Sequence, residues 1–510
     1  MIKQLYENIC EDRDVRANLI ALRQELKDRA VRRAFAYLLG GEFGQLTQLL
    51  HSEDPKIRKN AALILGDMET EDVLPYLYDA YQREETLFVR SDYLKAMAKL
   101  DYRPYLERLK DRMVQLQGAE YTEENRKHCR EELCQLQNMV LKYEKPRKHR
   151  FIGYDPSPEV ILVTNKNQKK ATGCQITSGT VTELGQGFRV KGGNLKELLS
   201  IRTVQELLFP IAGSRPVSGS PEEIGKALAR LDIAGYLEDL HKGSGCFYYR
   251  IEVKGPMPLD KKGTFIRKVT EILDESSGGK LRNSAAEYEA EIRLLERRDG
   301  SFIPMLKLYT IADQRFAYRR ESVAASISPV NAALTVRLAS PWMKDNAQVL
   351  DPFCGVGTML LERNHAVPAA HMYGVDIFGE AIEKARKNTE RDGSIVHYIN
   401  RDFFEFTHDY LFDEIITDMP RASREGGVQE LALLYRRFAG KALCHLKDGA
   451  VVILYTMDPD LAEREILTQV EYKKLASFLI NEKNGTSVYV LQVHLQPHGR
   501  LDDDENKETQ

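Results

Sequence analysis

Gln348-Val349-Leu350-Asp351-Pro352-Phe353-Cys354-Gly355-Val356-Gly357-Thr358 decides how this chain is read. An apolar run ends in an acid, crosses a glycine turn and enters a segment of helical pattern, Met359 to Asn364. Glycine adds no side chain and tolerates unusual φ/ψ, so such a turn lets a ligand approach the backbone closely. The N-terminus of the helix behind it offers free N–H groups.

Two details separate this turn from one that binds a nicotinamide dinucleotide. Leu360 stands where the third glycine of that fingerprint belongs. The loop opens with Asp351-Pro352-Phe353, and a carboxylate there suits a cationic amino-acid cofactor better than a pyrophosphate. S-adenosylmethionine is the cofactor this predicts, with Asp351, Phe353, Gly355, Gly357 and Thr358 as candidate binding residues.

A second apolar run, His371 to Asp376, follows at roughly the 20-residue spacing at which an acid accepts hydrogen bonds from ribose hydroxyls. A helix from Glu380 to Arg391 comes next, then a third strand, Val396 to Phe403, ending in an acid and an aromatic. Asp402 is expected to take the adenine amine and Phe403 to pack on the ring. A fourth strand, Phe412 to Thr417, runs into Asp418-Met419-Pro420-Arg421. Each acid alone reads as a solvated strand end. Four such endings alternating with helices describe an open α/β sheet that binds its ligand at the carboxyl ends of its strands. Gly449 to Tyr455 reads as a fifth strand, and Tyr472 to Ile480 with Ser487 to Leu495 as a hairpin joined through Asn484-Gly485.

Asp351 to Thr358 resembles the D-P-F-C-G-S-G-T signature of RNA methyltransferases that carry a THUMP domain. Ser326-Ile327-Ser328-Pro329-Val330-Asn331-Ala332-Ala333-Leu334 is similar to the helix start that precedes it. The resemblance covers roughly the last 270 residues. It implies a Rossmann-like class I methyltransferase domain over 320–497, tRNA as substrate and the exocyclic amine of guanine as acceptor. It also places the chemistry at Asp418, Met419, Pro420 and Arg421. An aromatic amine is a poor nucleophile, because its lone pair is delocalised into the ring. The enzyme must hold it in line with the sulfonium methyl and accept hydrogen bonds from its N–H groups. Asp418 and the Met419 carbonyl suit that role, and Pro420 fixes the turn.

The chain departs from the family where an aromatic residue and a glycine are expected: Arg421 and Ala422 stand there. An arginine plane also stacks on a base. Two rival readings therefore stay open. One is a degenerate enzyme serving as an RNA-binding or assembly factor. The other is a protein N-methyltransferase whose helical repeats bind its substrate.

At 510 residues there is chain enough for three or four domains, and the net charge of −3 argues against a wholly basic nucleic-acid wrapper. Local basic patches, Lys145 to Arg150 and Lys166 to Lys170, are either RNA contacts or solvated loops. Seven dispersed cysteines without paired spacing predict a reduced compartment and no metal site. No apolar run reaches about 18 residues and the first 16 residues are polar, so a cytoplasmic protein with no membrane partner is expected. The acidic end, 498–510, reads as a disordered tail.

Residues 1–143 have a helical pattern throughout. Pro55 to Gly66 recurs loosely as Leu87 to Ala98, with Ile57-Arg58 aligned on Val89-Arg90, and a degenerate third copy at Ala30 to Phe35. The pattern resembles HEAT repeats, an α-solenoid that stacks helix pairs and commonly grips a partner, here a protein or RNA. Residues 155–310 mix strands and helices in an α+β order that resembles a ferredoxin-like subdomain followed by a THUMP-like domain, which implies RNA binding. Beyond it, Tyr309 to Arg320 gathers Arg315, Tyr318, Arg319 and Arg320, read either as a phosphate contact near the active site or as a strand-edge charge cluster.

Overall fold

In the computed structural model, residues 2–117, 119, 122–143, 149–421 and 427–495 are described. The basic residues 145–148, Ala422 and the acidic tail lie outside them. The chain divides into two compact units, Met1–Lys148 with Ser284–Glu287, and His149–Asn283 with Tyr288–Gln510.

The first unit is helical, and the two aligned sequence copies form the helices Pro55–Asp67 and Leu87–Met97. The first starts where it does because Asp54 accepts the Lys56 N–H at 2.7 Å and Pro55 fills a position that needs no donor. The two helices touch at Gly66, where a Cβ would lie 2.6 Å from the Ala96 Cα. The aligned arginines share a partner. Arg58 holds the Glu84 carboxylate through Nη2 at 2.7 Å and Nε at 2.8 Å, while Arg90 Nε donates to the Glu84 carbonyl at 2.7 Å. The repeat is thus carried by how two helices clamp one connecting loop.

In the second unit, residues 160 to 308 build one eight-stranded sheet. Its order is 180–184, 187–191, 160–163, 206–210, 302–308, 290–296, 247–254 and 281–283. The sequence predicts a small subdomain followed by a separate one. The sheet joins them, because Glu206–Pro210 pairs antiparallel with Phe302–Leu308, with Phe209 opposite Leu306. Both side chains are buried in a single core. Thr180–Leu184 has no apolar alternation and is exposed along most of its length, so its sequence shows no strand period.

The catalytic-type sheet has seven strands: β1 (Ala347–Asp351), β2 (Ala369–Asp376), β3 (His397–Asn400), β4 (Phe412–Asp418), β5 (Leu446–Thr456), β6 (Tyr472–Asn481) and β7 (Thr486–Val493). Their order is 3-2-1-4-5-7-6, with β1 to β5 parallel and β7 antiparallel to both neighbours. The helices that bear on the site are α1 (Pro329–Ala339), α2 (Thr358–Ala366), α3 (Gly379–Asp392) and α4 (Val428–Leu443). The strand order reverses between β1 and β4, and the crevice at such a switch point is where open α/β sheets bind ligands. Helix α2 is fixed to the sheet by a buried ion pair, Arg363 Nη2 to Glu414 Oε2 at 2.8 Å, with the same nitrogen on the Lys344 carbonyl at 2.9 Å.

Several contacts within this unit tie its halves together. Asn165 Nδ2 donates to the Ile480 carbonyl at 3.0 Å, and Gln168 Nε2 to the Leu479 carbonyl at 2.9 Å. The Lys166–Lys170 patch is therefore part of a docked loop, and Lys169 pairs with Glu183. Arg202 meets Glu362 on α2. Among the described residues no helix is long and apolar enough to cross a membrane.

Candidate active site

Asp351 closes β1 and is 1 % exposed. Thr417 Oγ1 donates to its Oδ1 at 2.6 Å and the Phe353 N–H at 3.1 Å. Burial pushes its carboxyl up to about 8, against the pull of these hydrogen bonds. Its partner Thr417 comes from β4, so the carboxylate ties the two strands at the switch point. Phe353 packs against Phe403 and Phe438.

Gly355 and Gly357 follow, both in the left-handed region at φ 52° and 80°. A Cβ on Gly355 would meet nothing within 4 Å, which leaves open space beside the turn. A Cβ on Gly357 would lie 2.1 Å from the Tyr398 hydroxyl. The turn is held from two sides. The Gly355 N–H donates to Asp376 Oδ2 at 2.8 Å, and buried Asn388 on α3 donates to the Val356 carbonyl at 3.2 Å. Thr358 begins α2 and accepts from Arg319 Nε at 2.8 Å.

Asp376, at the end of β2, also accepts the Phe378 N–H through Oδ1 at 2.8 Å. Immediately after it, Ile377 and Phe378 are 59 % and 71 % exposed. These two side chains were passed over in the sequence. Their signal is an apolar pair directly after a strand-end acid, and an exposed aromatic there offers a face to a ring. Phe403, expected in that role, lies instead in the core, 2 % exposed and packed against Phe353, Phe404 and Phe438. The apolar residues around β3 pull its ring inward. Asp402 accepts the Phe404 N–H at 2.9 Å and caps a short turn.

Asp418 ends β4 with its side chain 15 % exposed. Its Oδ1 is buried and has no hydrogen-bond partner among the described residues. Its Oδ2 lies 3.5 Å from Arg421 Nη2. Burial pushes its carboxyl up to about 7, and the guanidinium works against that rise. Met419 is buried, and its N–H donates to the Tyr455 carbonyl at 2.9 Å. The Pro420 carbonyl accepts from Tyr435 Oη on α4 at 3.4 Å. The turn is therefore fixed at Met419 and Pro420, one residue on either side of their shared bond.

The Tyr309–Arg320 cluster is divided by the structure. Arg315 donates to the carbonyls of Ile201 and Val204 at 2.8 and 2.6 Å, and Tyr318 Oη donates to Glu362 at 2.6 Å. Both are internal braces. Arg319 alone reaches the glycine turn, and Arg320 is exposed.

Residues 317–482 match the family of RMKL-like methyltransferase domains, and residues 3–98 and 44–115 match HEAT repeats. The chain is 26% identical over 276 residues to a tRNA (guanine(6)-N2)-methyltransferase of Thermus thermophilus, covering 53% of this chain and 78% of that protein. It is 30% identical over 162 residues to a tRNA (guanine(10)-N2)-dimethyltransferase of Methanothermobacter thermautotrophicus, covering 30% of this chain and 46% of that one. The crystal structure of TrmN from Thermus thermophilus superposes with a TM-score of 0.50 at 22% identity, over 66% of this chain and 99% of that one, and shares its fold.

Proposed function

Residues 317–482 form a methyltransferase domain, and we propose that the chain transfers a methyl group from S-adenosylmethionine to the N2 amine of a guanine in tRNA. The observation that carries this reading is Asp418, a strand-end carboxylate with one buried oxygen that has no partner among the described residues. It stands across the switch point from a glycine turn with open space beside it.

The residues present fit the cofactor. Gly355 leaves the turn accessible, Asp376 closes β2 beside it, and Ile377 with Phe378 provides an exposed apolar face. When bound, S-adenosylmethionine supplies a methyl group made electrophilic by its sulfonium charge. Asp418 Oδ1 accepts a hydrogen bond from the amine and orients its lone pair, and its charged form stabilises the N–H as it grows more acidic. The neutral amine needs no strong base, so a carboxyl with a pKa of about 7 suffices to take up its proton. The target base is turned out of its stack to reach this depth. Residues 155–310 hold the RNA by shape and backbone as a THUMP-like region, residues 320–497 catalyse, and the HEAT-like residues 1–143 add a second weak contact, to RNA or to a protein.

The test is transfer of a labelled methyl group from S-adenosylmethionine to tRNA lacking modifications, with Asp418→Ala alongside. Label in the nucleotide, lost in the variant, is the expected result. The contact of Arg421 with Asp418 favours one second reading, a chain that binds cofactor and RNA without transfer. Cofactor binding with no label in any tRNA would favour it.

A further inference from the structure

Beside the catalytic turn lies a cavity of about 340 Å³, lined among others by Asn165, Asn331, Arg421, Tyr455, Asn481 and Asn484. These residues come from the loop after strand 160–163 of the eight-stranded sheet, from α1, from the catalytic turn, from the end of β5 and from the β6–β7 hairpin. Asp418 does not line the cavity, but Arg421 does and lies 3.5 Å from Asp418 Oδ2, and Tyr455 is the register partner of Asp418 across β4 and β5. No described residue lining it is acidic, and Arg421 is its one charged group.

The polar groups left over in it are specific in kind. Asn331 Nδ2 donates to Tyr455 Oη at 3.3 Å, which leaves its Oδ1 as an acceptor. Asn481 and Asn484 use their Oδ1 atoms on the hairpin backbone, accepting the N–H groups of Lys483 at 2.9 Å and Thr486 at 3.3 Å. Their Nδ2 groups remain as donors. Arg421 adds the donors of its guanidinium beyond the Nη2 that lies near Asp418 Oδ2. An acceptor at Asn331 and donors at Arg421 and the hairpin asparagines therefore line one cavity, with the Asp418 carboxylate 3.5 Å from Arg421.

Guanine presents the complement: N1–H and N2–H donors on one edge, and O6 and N7 acceptors that an arginine fork matches. Adenine places an amino group where O6 would be, against the guanidinium. We infer that this cavity is the acceptor-base pocket and that Asn331 and Arg421 select guanine over adenine. Arg421, standing in place of a stacking aromatic, then acts as a reader of the base edge. The inference rests on the function proposed above.

The experiment is binding, not turnover. Guanosine, inosine and adenosine 5′-monophosphates are titrated into the full chain saturated with S-adenosylhomocysteine, as wild type, Asn331→Ala and Asn484→Ala. S-adenosylhomocysteine affinity and thermal unfolding report whether each variant is folded. Inosine keeps O6 and N1–H, so it and guanosine should bind at least about tenfold more tightly than adenosine, because a site built to pair polar groups rejects a ligand that leaves them unpaired. Each substitution should weaken guanosine binding several-fold and leave the cofactor product bound as before. Equal binding of adenosine, unchanged guanosine affinity in both variants, or no nucleotide binding at millimolar concentration would each overturn the inference. Guanine selectivity in a protein that labels no tRNA would leave the pocket standing and sink the reading of function.

Discussion

Arg202 grips Glu362 through two hydrogen bonds, with Nε and Nη2 each 2.7 Å from a different carboxylate oxygen. Glu362 is 1 % exposed on the helix that follows the glycine turn, and Tyr318 Oη shares its Oε1. Arg202 belongs to the preceding sheet domain. One carboxylate therefore connects the helix after the glycine turn to the part that is proposed to hold RNA.

Breaking such a pair from one side leaves a buried charge without its partner. Arg202→Ala is expected to destabilise the protein by ~3–5 kcal/mol, since Glu362 stays buried. Arg202→Ala with Glu362→Gln should recover much of that loss, because the neutral amide still accepts from Tyr318. Thermal unfolding of the wild type and the two variants measures this. An Arg202→Ala protein as stable as wild type would show that the pair contributes nothing.

Gly357→Ala puts a Cβ 2.1 Å from the Tyr398 hydroxyl at a φ of 80°. The left-handed backbone alone costs about 1–2 kcal/mol, before the clash is counted. S-adenosylhomocysteine affinity should fall along with stability. Adding Tyr398→Phe removes the oxygen and should restore part of both, in calorimetry and in a thermal melt.

Methyl transfer should depend on pH through Asp418. Its carboxyl sits at about 7, and only the ionised form accepts a hydrogen bond on both oxygens, so kcat/KM should rise with pH through that value. Arg421 lowers this pKa, so Arg421→Ala should move the rising limb to higher pH. A limb that stays in place in the variant would mean that another group titrates.

Asp351 carries a pH-dependent stability of its own. Its folded pKa is raised to about 8 and its unfolded value lies near 4, so between these the folded protein holds a proton that the unfolded chain has released. Stability from this group is present below pH 4 and is lost as pH rises through 8. Asp351→Asn keeps an oxygen for Thr417 and for the Phe353 N–H and cannot ionise. Its denaturation midpoint should change less between pH 5 and pH 8 than that of wild type.

Much of the catalytic sheet was legible because three of its five parallel strands, β1, β2 and β4, are apolar runs closed by an acid. Asp351, Asp376 and Asp418 stand at strand ends as their spacing implies. Local pattern could not reveal side-chain direction. Phe403 reads as a surface aromatic after an acid, but its ring joins the core, while Ile377 and Phe378 are the ones left outside. Contacts between distant segments were equally hidden. Asn388 braces the glycine turn from a helix 32 residues further along the chain, and the cavity draws on segments from Asn165 to Asn484. In the middle region the strand Thr180–Leu184 had no period to find, and the pairing of Phe209 with Leu306 spans too much chain to be seen locally.

The loop that holds Leu479 and Ile480 has a further consequence. Strand β6 ends its sheet, and the amides of Asn165 and Gln168 occupy two of its outward carbonyls. A bare sheet margin is a template for another chain. The methyltransferase domain is therefore not a free-standing module: cut away from the residues before it, it would present a naked strand to its own copies and is expected to self-associate there.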